Sequence, residues 1–306
     1  MKEKVYAGIE TGGSKFVCAV GTGPDDLVTS QFATTSPDET IGKAIDFIKD
    51  HSRLKQIAAV GVASFGPLDL DQGSPTYGYI TTTPKDSWSN IDIYGKIRSR
   101  LEVPVAIDTD VNGASLGEQV WGAAKGLDTF IYLTIGTGIG GGGMTNGRLM
   151  HGLLHPEMGH MRIPHDWQKD PYGGCCPFHG DCLEGLASGR AMGLRWGQSP
   201  ENLPLDHPSW EIEAGYLALA VANLICIMSP QRIVIGGGVM KNPSLMSAVR
   251  RKADHLLNGY VRSEAITKDI DRYVVSPVLG YLAGVVGALE LAKGTDPDRR
   301  SSPAQG

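Results

Sequence analysis

Short apolar runs, each broken by glycine, set the pattern of this chain. Residues 5–20 (VYAGIETGGSKFVCAV) read as a strand, a glycine turn and a second strand. Residues 57–70 (IAAVGVASFGPLDL) give another buried strand ending in a loop. Residues 104–122 (PVAIDTDVNGASLGEQVWG) give a short strand whose end carries two aspartates. A helix follows, opened by Asn112 or a neighbour. Residues 130–150 (FIYLTIGTGIGGGGMTNGRLM) repeat the first pattern. Residues 215–240 add a helix, a proline break, a strand and a third glycine turn. The chain therefore reads as two related halves, each opening with strand, turn and strand. Alternation of helices and strands after that predicts α/β layers. Residues 278–292 (VLGYLAGVVGALELA) predict a Gly- and Ala-rich helix packed closely on another helix. The residues after it have no apolar face and predict a frayed tail.

Composition narrows the function classes. With 306 residues, the chain suits one large or two ordinary domains. A net charge of −5 without blocks of like charge argues against a general nucleic-acid binder. No run reaches the roughly 18–20 uncharged apolar residues that span a bilayer, so no membrane partner is expected. The N-terminal MKEKVYAGIETGG lacks the apolar core of a signal peptide, and a cytoplasmic location is expected. Disulfides are rare there. That weakens a disulfide reading of GGCCPFHGDCLEG at 173–185, which holds three of the five cysteines. Cys18 and Cys226 lie in apolar runs and are expected to be buried.

Glycine accounts for 41 residues and clusters in turns after apolar strands. Three such turns are Glu10–Lys15 (ETGGSK), Gly136–Gly141 (GTGIGG) and Gly236–Gly238. Backbone N–H groups exposed in turns of this kind form anion sites. Thr11, Ser14 and Thr137 add hydroxyls and Lys15 adds charge. A single glycine turn is often only a hairpin. Three of them, in matching positions of two halves, favour a nucleotide. A GxxxxGK[ST] loop is absent, which excludes a P-loop enzyme. GTGIGG lies between strands rather than opening a helix, which argues against a dinucleotide enzyme. Asp108 and Asp110 stand at a strand end. Phosphoryl transfer to an alcohol needs such a carboxylate beside the attacking hydroxyl, and another often helps place Mg²⁺. Either aspartate can instead cap the helix. Asp110 is the better base, because Asn112 can serve as the cap.

The segments GIETGGSKFVCAV, GVASFGPLD, IDTDVNGASLGE, TIGTGIGGG, HPEMGHM, CPFHGDCLEG and IVIGGGV together resemble the ROK family (repressors, open reading frames and kinases) of sugar kinases, in the same order across residues 5 to about 240. YGYITTTPKDSW and CPFHGDCLEGLASG make the resemblance greatest to its bacterial, zinc-containing fructokinase branch. The resemblance implies the actin/hexokinase-like (ASKHA, ribonuclease H-like) α/β fold: two domains of duplicated topology around a cleft, closing on sugar to keep the site dry. The expected division is residues 1–115 with the C-terminal helix at about 280–294, a larger domain at 116–279 bearing the metal loop, and a tail at 295–306. The implied reaction is ATP-dependent phosphorylation of D-fructose to fructose 6-phosphate, with mannose or glucose as alternative substrates. By the same resemblance Asp110 is the catalytic base. Glu10, Thr11, Gly12, Gly13, Lys15, Thr137, Gly138 and Gly237 hold MgATP. Gly66, Pro67, Thr109, Glu157, His160 and Glu184 line the sugar site, together with Asp110. The sequence departs from the family's usual pattern twice, with Glu10 in place of Asp and Thr109 in place of Asn.

Spacing suggests a metal. His160 precedes Cys176-x-x-His179-x-x-Cys182, a complete two-His, two-Cys set for a closed, structural Zn²⁺. The alternative is unpaired thiols with His179 an exposed loop residue. Cys175 fits the first place of the family's commoner CxCGxxGC, but Pro177 falls at its second, which favours Cys176. His151, His155 and His165 are nearby but are not taken as ligands. Such a zinc would fix the segments bearing Glu157 and Glu184. A sugar-responsive repressor is the competing class. Only nine residues precede Glu10, so no helix-turn-helix is expected ahead of it. A non-catalytic sugar-binding protein is a further alternative. By family analogy a homodimer is expected.

Overall fold

The computed structural model describes residues 3–296; the rest of the expected tail, 297–306, lies outside the described residues. Contacts divide the chain into two compact units, one formed by residues 3–125, 149–155 and 281–296, the other by 126–148 and 156–280.

The first unit starts with β1 (Lys4–Thr11), β2 (Lys15–Gly21) and β3 (Val28–Ala33), which form an antiparallel meander. Helix α1 (Pro37–Ser52) leads to β4 (Gln56–Ser64), which pairs parallel with β1. A small hairpin, β5 (Tyr79–Ile80) and β6 (Ile91–Asp92), precedes α2 (Ile93–Arg98). Then β7 (Val105–Thr109) joins β4 in parallel and runs directly into α3 (Asp110–Trp121). The sheet order is β3-β2-β1-β4-β7. Its central strands are covered on both faces, so they read as continuous apolar runs rather than alternating ones. Val5, Ala7, Ile9, Phe16, Cys18 and Val20 enter a core that includes α1 and Trp88. Tyr6, Val17 and Ala19 face the opposite way. Trp88, from the motif YGYITTTPKDSW, has its ring 5.5 Å from both Phe16 and Phe65 and donates Nε1–H to the Thr35 carbonyl. Its role is therefore packing.

The second unit repeats the plan. β8 (Phe130–Ile135) and β9 (Ile139–Thr145) are antiparallel, followed by β10 (Arg148–Leu149). After short helices α4 (Leu183–Ala187) and α5 (Gly189–Trp196) comes the long α6 (Ser209–Met228). β11 (Ile233–Gly236) pairs parallel with β8. Beyond it lie α7 (Leu245–Leu257), α8 (Glu264–Thr267), α9 (Ile270–Tyr273) and β12 (Val274–Val275). Sheet order β10-β9-β8-β11-β12 matches the first sheet strand for strand. The expected duplication is thus present. Helix α6 is long and apolar enough to cross a membrane by length and composition alone, though it holds no uncharged run of 18 residues. It carries Glu211 and the buried Glu213, and it packs on α7 and α4 as a core helix of this unit. Cys18 is buried as expected, but Cys226 near the end of α6 is exposed.

The chain then returns to the first unit as α10 (Ala283–Thr295). Val285, Leu289 and Ala292 cover the Tyr6, Val17 and Ala19 face. Helix α10 lies so close to α3 that a Cβ on Gly287 would sit 1.6 Å from the Gly113 carbonyl oxygen. That packing along α3 carries the first unit on to residue 125 rather than 115. Thr295 and Asp296, placed in the tail by sequence, are ordered parts of the fold. Asp296 accepts from Tyr6 Oη at 2.6 Å and pairs with Lys4 Nζ at 2.8 Å.

Candidate active site and metal centre

In the first unit the polar groups gather at the carboxyl ends of β1, β4 and β7. Asp110 is the first residue of α3, and its Oδ1 accepts from the Val111 N–H at 2.9 Å. The cap is Thr109, whose Oγ1 accepts from the Asn112 N–H, and not Asn112 as expected. Asn112 lies buried inside the helix and donates Nδ2–H to Asp108 Oδ1. Asp108 is thus engaged as a structural acceptor, taking the Thr109 N–H as well. Burial pushes Asp110 up to about 6. Glu10 is raised further, to about 7, first by burial and then by the charge of Asp110; Lys15 and the Val285 N–H oppose the rise. Glu10 Oε2 is buried and has no hydrogen-bond partner. The carboxylate fits because residue 284 is glycine: a Cβ there would lie 2.4 Å from Glu10 Cδ.

The β1–β2 turn is held by Gly12 N–H on the Lys15 carbonyl and by Thr34 Oγ1 on the Gly12 carbonyl. Gly13, Ser14 and Lys15 are exposed. Thr11 departs from its expected role. It is fully buried and its hydroxyl donates to Ser64 Oγ at 2.8 Å, so that group is spent inside the sheet. Thr109 likewise is only 3% exposed, with its oxygen used as the cap. Gly66 and Pro67 follow β4 and are joined by a cis peptide bond.

In the second unit, Thr137 and Gly138 form the β8–β9 turn, closed by the Gly136 N–H on the Gly138 carbonyl. Glu184, near the start of α4, reaches this turn, where its Oε2 accepts from the Ile139 N–H at 2.9 Å. Nothing in the sequence pattern announced that bond. Gly237 follows β11 with φ +100°, where a Cβ would also strike the Ile135 backbone. Glu157 is exposed and precedes the short 3₁₀ turn Met158–His160.

The proposed metal ligands converge. His160 Nδ1 lies 3.7 Å from Cys176 Sγ and 3.6 Å from Cys182 Sγ, and His179 Nδ1 lies 3.6 Å from Cys176 Sγ. All four ligand atoms fall within 4.8 Å of one another. Tetrahedral Zn²⁺ with bonds of about 2.3 Å to sulfur and about 2.0–2.1 Å to nitrogen sets S and N about 3.6 Å apart. The donor set and its spacing fit that ion. Cys175 falls outside the set; its N–H donates to the Gly185 carbonyl. Sequence reasoning missed Arg162, which donates to the His179 carbonyl at 2.6 Å and pairs with Asp181 at 2.9 Å. The three histidines nearby in sequence, His151, His155 and His165, have different partners. His165 meets Asp181 and the Asp170 carbonyl, His151 pairs with Asp108, and His155 accepts from the Leu68 N–H.

Comparison with known proteins matches this arrangement to one family. The model of the ROK family matches residues 6–295. A protein named fructokinase from Zymomonas mobilis is 44% identical over 95% of this chain and 97% of its own length. Another of that name, from Lactococcus lactis, is 40% identical over 90% and 91%. Among solved structures, a ROK family glucokinase from Streptomyces griseus in complex with glucose and AMPPNP superposes with a TM-score of 0.75 at 25% identity, covering 95% of this chain and 99% of its own. The duplicated sheets are those of the actin/hexokinase-like sugar-kinase fold, and the chain belongs to the ROK family.

Proposed function

We propose that this chain transfers the γ-phosphoryl group of ATP to the 6-hydroxyl of D-fructose. The observation that carries the reading is Asp110: a carboxylate at a strand-to-helix junction, held by its own helix N-terminus and raised by burial to about 6. A base of that strength is ionised at neutral pH, yet still takes a proton from an alcohol as the oxygen attacks. Thr109 contributes by capping α3, which fixes the residue after it. MgATP supplies the phosphoryl group and neutralises its charge. Gly12, Gly13, Lys15, Thr137, Gly138 and Gly237 are the groups for its phosphates and nucleoside. The partnerless Glu10 Oε2 suits a Mg²⁺-bound water.

Glu157, His160 and Glu184 bind the sugar hydroxyls in this reading, and Gly66 and Pro67 form a sugar-binding loop. His160 can serve two tasks because its two ring nitrogens differ. Nδ1 faces the thiols, and metal there leaves the proton on Nε2 as a donor. Zn²⁺ held by His160, Cys176, His179 and Cys182 would have no open position, so its contribution is geometric. A homodimer is also proposed. Ile212, Gly215, Leu219, Ala222 and Cys226 leave an apolar row on α6 incompletely covered, and light scattering tests it. The deciding experiment is ADP release with fructose, mannose and glucose. Fructose should give the highest kcat/KM, and no turnover on any hexose would refute the reading.

A further inference from the structure

His155 stands two residues before Glu157 and outside the metal set. It is only 8% exposed, and its Nε2 accepts the Leu68 N–H at 2.9 Å. A backbone N–H can only donate, so this nitrogen is the unprotonated one and the ring proton is on Nδ1. The ring also lies against the sugar loop: a Cβ on Gly66 would be 3.5 Å from His155 Cε1 and Nε2. Thr81 pins the same loop through its N–H and its hydroxyl, both donated to the Pro67 carbonyl at 2.8 and 3.0 Å. Residues 66–68 are thus gripped by Thr81 and by a histidine from a distant part of the sequence.

The segment bearing that histidine is unusual. Residues 149–155 belong to the first unit although the chain on either side belongs to the second. Its other fastening is His151 Nε2 on Asp108 Oδ2 at 2.9 Å, supported by Asn112 Nδ2–H on the Met150 carbonyl. Beyond His155 come Pro156 and Glu157. Proline fixes its own φ and restricts the residue before it to extended backbone. Pro156 therefore limits the backbone freedom between His155 and Glu157.

We propose that His155 is a positioning residue for sugar recognition, tying the Gly66–Pro67 loop to the segment that leads into Glu157. This rests on the kinase reading above. His155 itself need touch no reacting atom, since it works through the backbone of Leu68.

The test compares the full chain with His155→Leu and with His155→Gln, which keeps an acceptor. Three quantities are read: KM for fructose, KM for ATP, and hydrogen exchange at the Leu68 amide. In His155→Leu the fructose KM should rise about tenfold, the effect of losing one buried hydrogen bond and leaving its donor unpaired. ATP KM should stay within about twofold, and the Leu68 amide should lose protection. In His155→Gln both the protection and most of the fructose affinity should return. A folded His155→Leu with unchanged fructose KM overturns the proposal, as does an equal rise in both KM values. Should His155→Leu fail to fold, the glutamine variant decides. Fast Leu68 exchange with normal fructose KM overturns the idea, and retained protection with near-normal KM supports it. Absence of hexose phosphorylation by the unaltered chain would sink the kinase reading itself, whereas a working enzyme with insensitive fructose KM sinks only the role of His155.

Discussion

The two sheets share one strand order and differ in what stands at the strand ends. At the first, two carboxylates are desolvated together: Asp110 rises to about 6 and Glu10 to about 7. At the second, Glu184 is tied to the Ile139 N–H, and four sulfur and nitrogen atoms converge close by in sequence. Similar backbones thus carry opposite devices. One half keeps acids in an environment that makes protons exchangeable near neutrality. The other half ties Glu184 to a backbone donor and gathers the side chains of a candidate metal site. A duplicated fold dictates where functional groups can stand, and the local surroundings decide what each group does there.

The sharpest way to break this contrast is Asp110→Asn. It should lower kcat by about 10²–10⁴ while fructose binding, measured by calorimetry, survives. The same change should raise Tm at pH 7.5 by a few degrees. A raised carboxyl pKa means the folded state binds the proton more tightly than the unfolded one. Stability is therefore lost as pH climbs from the ordinary carboxylate range through about 6, and the amide avoids that loss. Retained kcat within about tenfold would contradict the base assignment.

Next in size is the metal. Elemental analysis should find one zinc per chain, and Cys182→Ser should abolish it. Fructose KM should then rise by tenfold or more, or the second unit should lose cooperative unfolding. Full activity after verified loss of zinc would overturn the positioning role. Gly284→Ala should cost about tenfold in kcat/KM, because the new methyl group displaces the Glu10 carboxylate. Below pH 6 log(kcat/KM) should fall with unit slope, as Asp110 takes up the proton it must lack to act as base. The smallest effect belongs to Arg162→Ala. Removing its bond to the His179 carbonyl should raise the zinc dissociation rate several-fold in a chelator competition, with kcat near normal.

Much of this was legible in sequence because it is local. Strand, glycine turn and strand recur within about twenty residues, and Cys176, His179 and Cys182 lie within seven. Asp110 stood out as a second acid at one strand end. What escaped depended on distant partners. Thr11 looked like a phosphate ligand until Ser64 claimed its hydroxyl. Asn112 looked like a cap, but Asp108 draws its side chain inward and Thr109 takes the position. Trp88 sits in a motif that carries the fructokinase resemblance, and only the fold shows that aromatic packing holds it in the core. Glu184 and His155 meet backbone N–H groups 45 and 87 residues away, which no spacing rule foresees.

Helix α10 also bears on synthesis. The sheet of the first unit is made early, but the face carrying Tyr6, Val17 and Ala19 packs against Val285, Leu289 and Ala292 near the C-terminus. Nearly the whole chain must leave the ribosome before that face is sheltered. All strands of the second sheet, through β12 at 275, emerge sooner. Its core can close while the earlier-made unit still waits for its last helix. Nascent chains stalled before residue 283 should therefore show apolar surface that chaperones bind. Loss of a few turns at the C-terminus would harm the beginning of the protein more than its middle.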